Sequence, residues 1–94
     1  MDSAVALKEF LEYVVANLID HPEQASVLHD VEGEKHVYRV VLAKPDVGRV
    51  IGKQGNTVNS IRSLMDAFCA KHQVRASVDV GTREEFGLAP LGDG

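Results

Sequence analysis

Ninety-four residues, 45% of them hydrophobic, suit one folded domain with a modest core and leave no room for a second. The formal net charge of −4 speaks against a general polyanion binder, and the single cysteine, Cys69, excludes an internal disulfide. Lys8, Glu9 and Glu12 interrupt the first apolar run, and no apolar stretch approaches the ~18 residues of a membrane span. A reducing, cytoplasmic setting with no membrane role is therefore expected.

The charge is unevenly placed. Residues 1–43 hold three Lys/Arg against eight Asp/Glu, a balance of −5. Residues 44–75 hold Lys44, Arg49, Lys53, Arg62, Lys71 and Arg75 against Asp46 and Asp66, a balance of +4. Residues 76–94 return to −3. A basic block on an acidic chain implies a small electrostatic footprint with few phosphate contacts.

From Met1 to Ile19 apolar residues recur at three and four: Ala4, Leu7, Leu11, Val14 and Leu18, widened by Phe10 and Val15. This predicts an amphipathic helix, capped by Asp2 or Ser3 and ended by Asp20-His21-Pro22. A loop leads to a short strand near Val27–Glu32. Glu32-Gly33-Glu34-Lys35 supplies a turn with Gly33 at positive φ. His36 to Ala43 is a second strand, apolar on both faces and hence central in its sheet, forming an antiparallel hairpin with the first. The pattern does not say which of its faces meets the helices.

Lys44-Pro45-Asp46 breaks that strand, and Asp46 is placed to cap a short helix over Val47–Ile51. Then come Gly52-Lys53-Gln54-Gly55 and a full helix from Asn56, its expected cap, to His72. Val58, Ile61, Met65 and Phe68 form its apolar stripe, joined by Leu64 and Cys69. After Gln73, Val74, Ala76, Val78 and Val80 alternate with Arg75, Ser77 and Asp79, which predicts a half-buried strand. Residues 81–94 carry four glycines and a proline without period, and are expected to be a flexible tail on a domain of residues 1–80.

The glycine turn is the chemically informative stretch. Glycine lets a chain bend sharply and another molecule approach its backbone. Unpaired amides at the start of the following helix favour a phosphate, with Lys53 beside it. A nucleotide P-loop is excluded, because Gly48-Arg49-Val50-Ile51-Gly52-Lys53-Gln54 is one residue short of the motif and lacks its Ser or Thr. A helix-turn-helix DNA reader, with Asn56, Asn59, Ser60 and Arg62 facing bases, is a poorer fit to three strands and a short first helix. Cys69 and His72 stand three apart on a helix, but no second pair completes a metal site. No carboxylate pair converges with a base, so neither catalysis nor a cofactor is expected.

Val50-Ile51-Gly52-Lys53-Gln54-Gly55-Asn56-Thr57-Val58-Asn59-Ser60-Ile61 resembles the signature of KH domains: an apolar pair, Gly-x-x-Gly, then apolar positions three apart. The order helix, strand, strand, helix, helix, strand resembles the type II arrangement, and the chain as a whole is similar to the small bacterial single-KH-domain proteins of the KhpA type. That resemblance implies an α+β fold, with a three-stranded mixed sheet carrying three helices on one face. It implies binding of single-stranded RNA, or less often DNA, with about four nucleotides beside the turn. Gly52 and Gly55 would bring amides to phosphates, with Lys53 and Gln54 at the sugar–phosphate chain and Asn56 among the RNA-binding residues. Arg49 and Arg62 would add contacts, Val50, Ile51 and Val58 an apolar floor or plain core, and Arg75 the far wall. RNA chaperone activity, a homodimer and pairing with a second KH-containing protein are also implied. The alternative is an adaptor that keeps the fold for protein pairing. Aromatics are 5% of the chain and none flanks the turn, so loose sequence preference is expected.

Overall fold

The computed structural model describes residues 2–91; the predicted helix start at Met1 and the last three residues of the predicted tail lie outside the described residues. The first helix, α1, spans Ser3–Ala16 and begins where the Asp2 carboxylate accepts the Ala4 amide at 2.8 Å. It stops three residues before the predicted Ile19. The Asn17 amide turns back to the Val14 carbonyl at 3.2 Å and the Leu18 amide to that of Val15 at 2.9 Å, and the Asn17 side chain donates to the Tyr13 carbonyl at 2.8 Å. Leu18 and Ile19 pack against the core from the link that follows.

Strands β1 (Ser26–Glu32) and β2 (Lys35–Val41) form the predicted hairpin, antiparallel from Ser26 opposite Val41 to Glu32 opposite Lys35. Gly33 turns it at φ 65°. Helix α2 covers Lys44–Ile51 and helix α3 Asn56–His72, and strand β3 (Arg75–Gly81) returns parallel to β2. The sheet order β1-β2-β3 puts β2 in the centre, as its two apolar faces predict. All three helices share one core with the sheet, so the α-β-β-α-α-β order and the mixed sheet with one covered face are as expected.

Which face of β2 meets the helices is now plain. Tyr38, Val40 and Leu42 join Leu7, Leu11, Val50, Ile61, Met65 and Val78 in that core. Tyr38 is fully buried and its hydroxyl donates to the Ala4 carbonyl at 2.7 Å. Burial, helped by the charges of Asp2 and Cys69, pushes its pKa up to about 12. On α3 the buried stripe is Val58, Ile61, Met65 and Cys69, whereas Leu64, read as part of it, is 59% exposed. Leu64 lies three residues from Ile61 but one from Met65, so it falls past the edge of the covered arc.

Asp46 corrects a second reading. The α2 helix starts earlier, at Lys44, with Pro45 in its first turn, so Asp46 is inside the helix and does not cap it. Its side chain is buried and accepts the backbone amides of Asp20 at 3.0 Å and His21 at 2.9 Å, tying the α1–β1 link to α2. Burial pushes this carboxyl up. The two amides, with His21 and Arg49 nearby, outweigh that and hold it below the usual aspartate range. A depressed folded-state pKa gives stability that is present above the unfolded value, near pH 4, and lost as pH falls through the folded one. Asp46→Ala strands two part-buried donors and should lower Tm by about 5–10 °C at pH 7, with Asp46→Asn losing less. In thermal melts by circular dichroism, the gap between wild type and the Ala variant should narrow below about pH 4.

Residues 82–91, read as part of a tail, carry a hydrogen-bonded turn. Thr82 Oγ1 accepts the Glu85 amide at 3.1 Å, and Glu85 Oε1 accepts the Thr82 amide at 2.8 Å. This is a reciprocal capping box. Phe86 donates its amide to the Thr82 carbonyl at 3.1 Å and Leu88 to that of Arg83 at 2.8 Å. The Phe86 ring lies against Gly81, which pairs with Val41 on the sheet face away from the helices.

Candidate nucleic-acid interface

Between α2 and α3 the backbone takes three positive φ values in four residues. Gly52 stands at φ 79°, ψ 173°, Gln54 at φ 57°, ψ 24°, and Gly55 at φ 78°, ψ 10°. Gly52 occupies a region that side chains essentially forbid. The Gly52 amide closes α2 on the Gly48 carbonyl at 2.8 Å, and the Gly55 amide turns back to the Gly52 carbonyl at 3.1 Å. Gly55 is thus the N-cap of α3, and Asn56, the expected cap, is its first residue.

The consequence is chemical. A left-handed glycine carries no side-chain acceptor, and no side-chain cap bonds the first turn of α3 among the described residues. The Asn56 amide turns back to the Lys53 carbonyl, and the amides after it open a helix of 17 residues whose positive end lies at this tight turn. Lys53, Gln54 and Asn56 are exposed around it. Lys53 makes no ion pair among the described residues. Such an arrangement accepts an anion.

The remaining predicted residues are placed less uniformly. Arg49 is drawn to the α1–β1 link, with a 2.7 Å ion pair to Asp20 and a 3.7 Å approach to Asp46. Val50 is sealed in the core and Val58 is 6% exposed, while Ile51 is half-buried beside the turn. Arg62, two turns into α3, donates to the Val78 carbonyl at 3.1 Å and so clips the helix to the outer edge of β3. Beyond that clip an open groove of about 320 Å³ runs between α3 and β3, lined by Arg62, Met65, Asp66 and residues 76–79. Arg75 is the first residue of β3, beside the C-terminal end of α3. The glycine turn is at the other end, roughly 20 Å away by the rise of a seven-residue strand.

Asp66, Ser77 and Asp79 line that groove without having been singled out in the sequence. Alternation marks Ser77 and Asp79 as polar but does not say that β3 is the edge strand. Elsewhere, Cys69 is core, its thiol pushed up by burial and by Asp66, away from the reactive thiolate. Among the described residues no group of three or more His, Cys, Asp or Glu could hold a metal, and no helix is long and apolar enough to cross a membrane.

Comparison with known proteins points the same way. The family model "KhpA/KhpB, KH domain" matches residues 8–80. The RNA-binding protein KhpA of Chlamydia pneumoniae is 39% identical over 75 residues, which are 79% of this chain and 95% of that protein. The Thermotoga maritima protein of the same name is 41% identical over 61 residues, 65% of this chain and 81% of its own. That of Listeria monocytogenes is 31% identical over 74 residues, 79% and 97% of the two chains. No solved structure shows a significant match. With the helix–hairpin–helix–turn–helix–strand order and the Gly52–Gly55 turn already in view, the match over residues 8–80 settles the family: this chain belongs to the KhpA/KhpB KH-domain proteins.

Proposed function

We propose that this protein binds single-stranded RNA without catalysis, in the cytoplasm, seating the sugar–phosphate chain on the Gly52–Gly55 turn and leading bases toward the α3–β3 groove. One observation carries the reading: the amides that open α3 are left without a side-chain cap among the described residues, behind a turn that needs glycine at Gly52, with Lys53, which makes no ion pair among those residues, at its tip. The relatives' name, RNA-binding protein KhpA, supports it. Lys53, Gln54 and Asn56 meet the backbone, and Ile51 and the exposed rim of Val58 floor the first base position. Arg62 acts mainly by fixing the groove.

This gives a small footprint. Arg49 is engaged by Asp20, and Arg75 sits at the far end of the sheet. With two or three phosphates neutralised, log K should fall with log salt at a slope of about −1.5 to −2. Polarisation titrations of a labelled eight-nucleotide RNA between 50 and 200 mM salt measure it, and micromolar or weaker affinity is expected. A slope steeper than about −4, or a preference for duplex, would overturn the binding mode.

RNA chaperone activity and pairing, with itself or with a second KH-containing protein, belong to the same reading, since a second copy adds contacts and raises avidity. The adaptor alternative draws on a different observation: Phe10, Leu64 and Phe68 line an open apolar cleft between α1 and α3, with Leu64 59% exposed.

A further inference from the structure

The segment after β3 does something the KH fold alone does not require. The family match stops at residue 80, so residues 82–91 lie outside the stretch that the family model matches. Here those residues are built onto the domain. The Thr82–Glu85 capping box fixes the first turn, Gly87 closes it at φ 71° with its amide on the Glu84 carbonyl at 3.0 Å, and the Arg83 guanidinium holds the Ala89 carbonyl. Phe86 anchors the turn against Gly81, where a Cβ would come within 3.3 Å of the ring.

That anchoring places two acidic residues across a cleft from α2. Glu84 and Glu85, with Thr82, form one wall of an open cleft of about 350 Å³ whose other wall is Lys44, Val47 and Gly48. Gly48 is one helical turn before Gly52, whose amide it receives. The carboxylates therefore stand on the order of 10 Å from the anion-binding turn, about one Debye length at 0.1 M salt. Lys44 is the one cation lining that cleft, against two acids.

We infer that the Thr82–Leu91 segment is a built-in electrostatic brake: it holds Glu84 and Glu85 beside the mouth of the RNA site and weakens binding there. The inference rests on the RNA reading of the Gly52–Gly55 turn. At this distance in a water-rich setting at 50 mM salt, each like charge changes affinity about 1.4-fold once screening is included. Glu84→Gln with Glu85→Gln should therefore tighten binding about twofold at 50 mM salt. Gln keeps the side-chain oxygen that accepts the Thr82 amide, so the turn is retained.

The test is a polarisation titration of the full chain with an eight-nucleotide single-stranded RNA at 50 and 300 mM salt. Wild type is compared with E84Q/E85Q and with E9Q/E12Q, the same charge change on the exposed side of α1. Support is a gain of about twofold confined to E84Q/E85Q that nearly vanishes at 300 mM salt. Equal gains in both variants would assign the effect to net charge, and no gain or weaker binding would make the segment a support or a contact; each overturns the brake while leaving RNA binding in place. Failure of all three proteins to bind overturns the RNA reading and the brake with it.

Discussion

Lys53→Asp combined with Gln54→Asp should abolish RNA binding, a loss of at least about 30-fold, while the fold survives. Both side chains are exposed and neither joins the core, an ion pair or a cap. Gln54 stands at φ 57°, a conformation that aspartate tolerates better than most residues, so the turn is retained. The charge at the tip changes by three units where a phosphate would sit, in front of amides that the new carboxylates can also occupy. Each effect opposes the ligand, and no other free cation lies in the turn to compensate. Polarisation titration at 50 mM salt reads the loss. A melting curve within about 3 °C of wild type and an unchanged elution volume show that the fold and the oligomeric state are unchanged. Unchanged affinity would remove the turn from the site and put the adaptor reading first.

Most of the scaffold was legible because the signals were local. The Val74-Ala76-Val78-Val80 alternation fixed β3 and its inward face, Gly33 fixed the hairpin, and Gly52 and Gly55 marked the turn. What stayed hidden was long-range. Asp46 stands where a cap would, yet its partners are amides 25 and 26 residues earlier. Arg49 belongs to a basic block, yet its partner is Asp20. The covered face of β2 could not be chosen because Val37 and Val41, on the face away from the helices, are buried as well. Phe86, packed beside Gly81 next to Val41, contributes to that. Arg75 shares the domain with the turn but not the end of the sheet, which composition cannot tell. Asn56 has the side chain of a cap, but a left-handed Gly55 took the position first. The C-terminal turn is different: Thr82-Arg83-Glu84-Glu85 carries the Ser/Thr-x-x-Glu capping signature in plain view, masked by the glycines around it.

Gly52→Ala should be strongly damaging, and Gly55→Ala, three residues away, a mild one. At φ 79°, ψ 173° Gly52 lies where a β-carbon alone costs about 1–3 kcal/mol. That carbon would also come within 2.8 Å of the Thr57 amide nitrogen and closer still to the Thr57 side chain. Thr57 is β-branched and sits in the first turn of α3, so neither its rotamer nor its backbone gives way without unwinding the turn that presents the amides. Strain and clash together reach about 3–4 kcal/mol, against ~5–14 kcal/mol in total for a domain of this size. A drop in Tm of about 15–20 °C is expected, with RNA binding lost even in the fraction that folds. At Gly55 the geometry is permissive: φ 78°, ψ 10° is ordinary left-handed backbone, and a β-carbon would meet nothing nearer than Asn59 Nδ2 at 3.6 Å. Ala there costs about 1–2 kcal/mol, a drop near 5–10 °C, and Asn, which favours this conformation, less than Ala. Melting curves of the three variants decide the order. Gly55→Ala falling below Gly52→Ala would mean that the two glycines exchange roles, and that the amides of α3 are presented by a different turn.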